Sequence, residues 1–153
     1  VWGKGNLLFF SAAYGLGSRV LNLTRSGRTT TVQEVWHNPR IRVHFSNVIR
    51  LGDVLYASSG DFGPAFFSAV DVNTGKIIWQ TRGLARASFI YADGRFIIID
   101  EDGTLALATP SVEGLTIHSR VELLQSNAWT IPTLVGKTLY VRDRKKMMAL
   151  DLS

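Results

Sequence analysis

The sequence predicts an all-β chain, a partial β-propeller of about four four-stranded antiparallel blades with the first and last incomplete. Three observations carry this. A glycine in a tight-turn setting returns at an even interval of 42 residues, in Leu51-Gly52-Asp53, Asp93-Gly94-Arg95 and Val135-Gly136-Lys137, each between two short apolar runs as in a hairpin. No segment sustains a 3.6-residue apolar period, and glycine turns come too often for long helices. Four short strands in every ~40-odd residues is the rhythm of propeller blades.

The units run approximately 1–39, 40–84, 85–124 and 125–153. In the first, a weaker copy of the hairpin strand, Gly5-Asn6-Leu7-Leu8-Phe9-Phe10, is followed by strands at Arg19–Thr24 and Thr31–Trp36, which are strands two to four of a blade. The second is complete: a hairpin around Gly52, a third strand over Phe66–Val72 and a fourth over Lys76–Trp79. The third repeats this with a hairpin at Gly94, Thr104–Ala108 and Leu115–Val121, and the last has the Gly136 hairpin and Met147–Leu152. A small residue recurs on the third strands at Ala69, Ala106 and Ala149, as expected where neighbouring sheets press closely. The chain stops where a further fourth strand is expected, a place that propellers often complete with a strand from the other end.

At 153 residues the length suits one domain with its own core. Hydrophobic content of 46% with only 19% charged residues excludes a disordered chain. No apolar run is long enough for a transmembrane helix. The opening residues, Val1-Trp2-Gly3, have neither the initiator nor the apolar core of a signal peptide, so the chain reads as a mature or partial piece. The absence of cysteine removes disulfides, zinc–thiolate sites and thiol catalysis. A net charge of +5 favours acidic partners only mildly, because the charges are scattered.

The stretch Ala69-Val70-Asp71-Val72-Asn73-Thr74-Gly75-Lys76-Ile77-Ile78-Trp79 resembles the repeat of the PQQ-like (quinoprotein alcohol dehydrogenase-like) β-propellers, roughly A-x-D-x-x-T-G-x-x-x-W. Ala149-Leu150-Asp151 keeps the start of that pattern and Trp36 its end, whereas the third unit has Ala108 in place of the aspartate and lacks both the T-G pair and the tryptophan. The resemblance implies structural roles for Asp71, Thr74, Gly75 and Trp79: the turn locks the third strand to the fourth and the indole docks between blades. It also implies the C-terminal part of a larger ring. The quinone-binding members use a vicinal disulfide and a calcium-ligand set, with no counterpart here, so no cofactor is expected. The implied function is that of the BamB-type scaffolds: a non-catalytic protein-binding module of a bacterial cell envelope, in the periplasm. The alternative is a part of a PQQ- and calcium-dependent dehydrogenase whose catalytic residues lie outside this chain.

No catalytic constellation is legible. His37, His44 and His118 are far apart and lack metal-ligand spacing. Gly15-Leu16-Gly17 is no dinucleotide fingerprint, and no nucleophile elbow is present. Asp100 and Asp102 are weak calcium candidates, read in preference as a solvated Asp-Gly turn. The basic loop Arg142–Lys146 has no interleaved aromatics, which argues against nucleic acid. In an up-and-down blade the second-to-third loops and the inter-blade links emerge on one face. Asp61, Asp100, Glu101, Asp102, Arg142 and Arg144 should therefore share a rim with Arg82, Arg86, Asn127 and Trp129, with Trp129 as the ligand-facing aromatic. The expected partner is a protein, the missing N-terminal blades, or a second copy that closes the ring over the exposed sheet edges.

Overall fold

The computed structural model describes residues 1–3 and 5–153, and Lys4 lies outside the description. Among the described residues the chain is all-β, with fourteen strands and no helix. None of its elements is a helix long and apolar enough to cross a membrane. The strands form four antiparallel meanders in sequence order. Sheet 1 contains β1 (Leu7–Ala12), β2 (Gly17–Ser26) and β3 (Thr29–Asn38). Sheet 2 contains β4 (Val48–Leu51), β5 (Val54–Ser59), β6 (Phe66–Asp71) and β7 (Ile77–Thr81). Sheet 3 contains β8 (Ser88–Ala92), β9 (Arg95–Ile99), β10 (Thr104–Pro110) and β11 (Leu115–Glu122). Sheet 4 contains β12 (Thr133–Val135), β13 (Thr138–Arg142) and β14 (Met147–Asp151).

The core lies between consecutive sheets. Phe9, Val20 and Trp36 of sheet 1 pack with Leu55, Val70 and Val72 of sheet 2. Tyr56, Phe67 and Ala69 of sheet 2 pack with Phe89, Phe96 and Ile98 of sheet 3. Ile97 and Ile99 of sheet 3 pack with Leu139 and Val141 of sheet 4. The inner strands of sheets 2 and 3 therefore meet a neighbouring sheet on both faces, and the alternation of side chains decides which neighbour each residue meets.

That alternation corrects the alignment on glycine. The two-residue hairpin loops are Gly52-Asp53, Asp93-Gly94 and Gly136-Lys137, bounded by the pairs Leu51–Val54, Ala92–Arg95 and Val135–Thr138. Glycine is the first loop residue in sheets 2 and 4 but the second in sheet 3, where Asp93 itself takes a positive φ of 48° beside Gly94 at 75°. An Asp-Gly pair suits a loop with both φ values positive, whereas a leading glycine suits one with only the first positive. The even glycine spacing thus conceals a one-residue shift, and such a shift turns every side chain to the other face. Leu55, Phe96 and Leu139 are the equivalent residues facing the preceding sheet, and Tyr56 and Ile97 are equivalents facing the following one.

On the third strands, Tyr56 pairs with Ala69, Ile97 with Leu107 and Tyr140 with Ala149. Leu107, and not Ala106, therefore corresponds to Ala69. Ala106 is buried, but it faces back toward sheet 2. Ala149 is exposed, contrary to the expectation of close packing, because among the described residues no sheet follows sheet 4.

Candidate functional site

The repeat turn is built from its own polar groups. The Asp71 carboxylate accepts the Asn73 and Thr74 amides at 3.0 and 2.8 Å and the Thr74 hydroxyl at 2.9 Å, while the Gly75 amide donates to the Asp71 carbonyl at 2.8 Å. Its outer surface receives the indole of the preceding sheet. Trp36 donates Nε1–H to the Val72 carbonyl at 2.7 Å, and a Cβ at Gly75, whose φ is 70°, would stand 2.5 Å from the Trp36 ring. Asn38 Nδ2 adds a 2.8 Å bond to the Gly75 carbonyl. Trp79 does the same one sheet further on: half-buried against Tyr56 and Phe67, it donates Nε1–H to the Ser111 carbonyl at 3.0 Å. Asp71, Thr74, Gly75 and Trp79 are thus parts of the junctions between sheets.

The loops on one end of the sheets form a second, exposed assembly. They are the second-to-third loops at 13–16, 60–65, 100–103 and 143–146 and the links at 39–47, 82–87 and 123–132. Three aspartates stand at the starts of these loops and organise them. Asp61 accepts the Phe62 amide at 2.8 Å and the Gly15 amide at 3.3 Å, and it pairs with Arg42 at 3.0 Å. These amides, the Phe62 N–H first, hold its carboxyl below the usual range. Asp143 accepts Lys145 and Lys146 N–H on one oxygen and Gln125 and Ser126 N–H on the other. Led by the Lys145 amide, these four donors lower its pKa to about 2.

Asp100 behaves in the opposite way. Burial pushes its carboxyl up, with the Asp102 charge adding to the effect, although the Asp102 and Thr104 amides donate to one of its oxygens at 3.1 and 2.9 Å. Asp100 is only 5% exposed and turned into its own loop, whereas Asp102 faces solvent. Among the described residues no group of three or more His, Asp or Glu side chains is close enough to hold a metal.

Of the remaining predicted rim residues, the structure brings Arg86, Glu101, Trp129 and Arg144 together. Arg86 pairs with Glu101 and also donates to the Asp61 and Gly63 carbonyls at 3.0 and 3.1 Å. Glu101 accepts Trp129 Nε1–H at 3.2 Å, and the Arg144 guanidinium lies 4.5 Å over the Trp129 ring. Trp129 precedes β12 and belongs to a link, not a strand, so it joins three loops at the surface. The basic loop thereby acquires an aromatic that its own sequence lacks. Arg82 stands apart over Phe66 at 5.2 Å. Asn127 and Arg142 are exposed and, among the described residues, make no side-chain hydrogen bond or ion pair.

Four further residues extend this group. Phe45 lies 4.6 Å from Trp129, His44 5.0 Å from Phe45, Tyr14 4.9 Å from His44 and Phe62 5.6 Å from Tyr14, centroid to centroid. The Tyr14 hydroxyl and His44 Nε2 share a 2.7 Å hydrogen bond. Phe62 and Tyr14 are 76% and 63% exposed, far above what a ring kept only for packing requires. Their sequence signal was an aromatic at the tip of a glycine-flanked loop, in Tyr14-Gly15 and Phe62-Gly63. The result is an unbroken row of rings ending in an arginine. Beside it the Arg86–Glu101 ion pair holds two loops together. No family model matches the chain, and no curated protein matches it in sequence.

Proposed function

We propose that this chain is a non-catalytic segment of a PQQ-like β-propeller that binds a protein partner through the loop face bearing Phe62, Tyr14, His44, Phe45, Trp129 and Arg144. The observation that carries the reading is the exposed aromatic row with a cation–π terminus. Interface hot spots are enriched in such residues, and a polar surround of Arg86, Glu101 and Asn127 is the composition of a protein-binding rim. The propeller reading is supported by four consecutive meanders, by two indoles that each dock on the next sheet, and by the meeting of the links at 39–47 and 123–132 through Phe45 and Trp129. The cell-envelope assignment rests on the sequence resemblance alone, as does the expectation that no quinone or calcium is bound.

Panning a random peptide library against the full chain tests the binding role. Selected peptides should carry aromatic and acidic residues, perturb Phe62 and Trp129 in NMR titrations, and lose about tenfold or more in affinity with Phe62→Ser or Trp129→Ser. Peptides that map elsewhere would overturn the assignment. Saturable binding of PQQ with calcium, seen as a shift in quinone absorbance, would replace it with the dehydrogenase reading.

A further inference from the structure

The junction between sheets 3 and 4 lacks the element that closes the other two. In register, Val20 pairs with Trp36, Ala69 with Trp79 and Leu107 with Ser119. Each pair is followed by a one-residue irregularity, between Val20 and Leu21, Ala69 and Val70, and Leu107 and Ala108. The three positions are therefore equivalent on two counts, and Ser119 occupies the place of an indole. The receiving wall matches at one backbone contact. The Val72 amide donates to the Asp53 carbonyl at 2.9 Å, and the Leu152 amide donates to the Lys137 carbonyl at 2.8 Å. Val72 accepts the Trp36 N–H, whereas Leu152 faces a gap.

The gap is a cleft of about 540 Å³ lined by Ser119 and, among others, Ile97, Leu105, Leu107, Leu134 and Leu139. Its volume is within the range of small-ligand pockets, which span roughly 300–1,000 Å³. Leu107 restores only part of the volume removed with the indole. Arg95 and Lys137 stand at the mouth together with one carboxylate, Asp93. Among the described residues neither cation has an ion-pair partner, so the mouth carries net positive charge. Apolar walls hold water poorly, and a space between two packed sheets admits a flat ring more readily than a branched chain.

We propose that this cleft binds a small planar aromatic acid: a ring system of about indole size takes the place vacated at Ser119, and its anionic group meets Arg95 and Lys137. The cleft opens beside the hairpin loops Asp93-Gly94 and Gly136-Lys137, at the end of the sheets opposite the aromatic row. The two sites are separate, and neither depends on the other.

Titration of the full chain with indole-3-acetate and with uncharged 3-methylindole, followed by NMR of the backbone amides, tests the proposal. Saturable shifts are expected on β9, β11 and β12, with the acid binding several-fold more tightly than the neutral ring. Arg95→Ala with Lys137→Ala should remove that difference and leave binding of the ring itself. Ser119→Trp should weaken both ligands by about tenfold or more while leaving sheets 1 and 2 unchanged. Leu107→Phe fills the same space from the neighbouring strand β10 and gives the same readout should the first variant not fold. No saturable shift near Ser119, Ile97 and Leu134, or undiminished binding in both filled variants, would overturn the proposal.

Discussion

Between the first two sheets an indole crosses the junction and rests on a glycine; between the last two, at the same register position, a hydroxymethyl group stops short of the opposite wall. Trp36 is 9% exposed and bonded to Val72, and Gly75 is without a Cβ at the one place where a Cβ would meet the ring. Ser119 is exposed beside a cleft. One backbone plan thus yields both a sealed contact and an open one. On the fourth strand the difference is one side chain, tryptophan in sheet 1 and serine in sheet 3. Where the indole is present, burial and a hydrogen bond fasten successive sheets. Where it is absent, the space becomes available to something else.

The largest effect should come from undoing the sealed junction. Trp36→Ala removes a buried aromatic and its hydrogen bond, and a loss of about 3–5 kcal/mol is expected in urea unfolding. Gly75→Ala attacks the same contact from the other side, through both a positive φ and a clash with the ring. It should lose about 2 kcal/mol or more. Trp79 is half-buried, so Trp79→Ala should cost less than Trp36→Ala, about 2–3 kcal/mol. A reversed order would break the account of how the junctions are fastened.

A smaller effect separates two loops at equivalent positions. Asp143 has a lowered pKa, about 2. Its contribution to stability is present above the unfolded value near 3.8 and is lost as pH falls through that window toward 2. Asp143→Asn keeps an acceptor for Lys145 and Lys146 N–H but offers an amide where Gln125 and Ser126 need one, so it should destabilise at neutral pH and flatten the acid limb. Asp100 has a raised pKa, so its charged form carries a cost that appears as pH rises through the folded pKa. Both of its amide donors address one oxygen, which an asparagine retains. Asp100→Asn should therefore be neutral or stabilising at neutral pH. Urea midpoints for the two variants across acid and neutral pH check the contrast.

The strands and their order were legible because alternating apolar runs and Gly-containing loops mark hairpins locally. The Asp71–Trp79 turn was legible for the same reason, since its hydrogen bonds join residues a few positions apart. The register of sheet 3 was not. A glycine can occupy either position of a two-residue loop, and only the cross-strand pairs reveal that Asp93 begins the loop there. That one-residue shift also hid the equivalence of Ser119 with Trp36 and Trp79. On the loop face, Arg86, Glu101, Trp129 and Arg144 could be grouped from the parity of an up-and-down meander. Tyr14, His44, Phe45 and Phe62 could not, because their contact depends on how loops of different sheets converge.

Native-state amide hydrogen exchange compares the two junctions most directly. Sheets 1 and 4 are both three-stranded, but sheet 1 has strands of 6, 10 and 10 residues and sheet 4 strands of 3, 5 and 5, so the effect of Ser119→Trp on β13 isolates the share of the indole from that of strand length. The prediction is that β13 opens at a lower free energy than β2, and that Ser119→Trp raises β13 toward β2 without altering sheet 1. Equal protection of β2 and β13, or a Ser119→Trp variant that leaves β13 unchanged, would contradict the central claim.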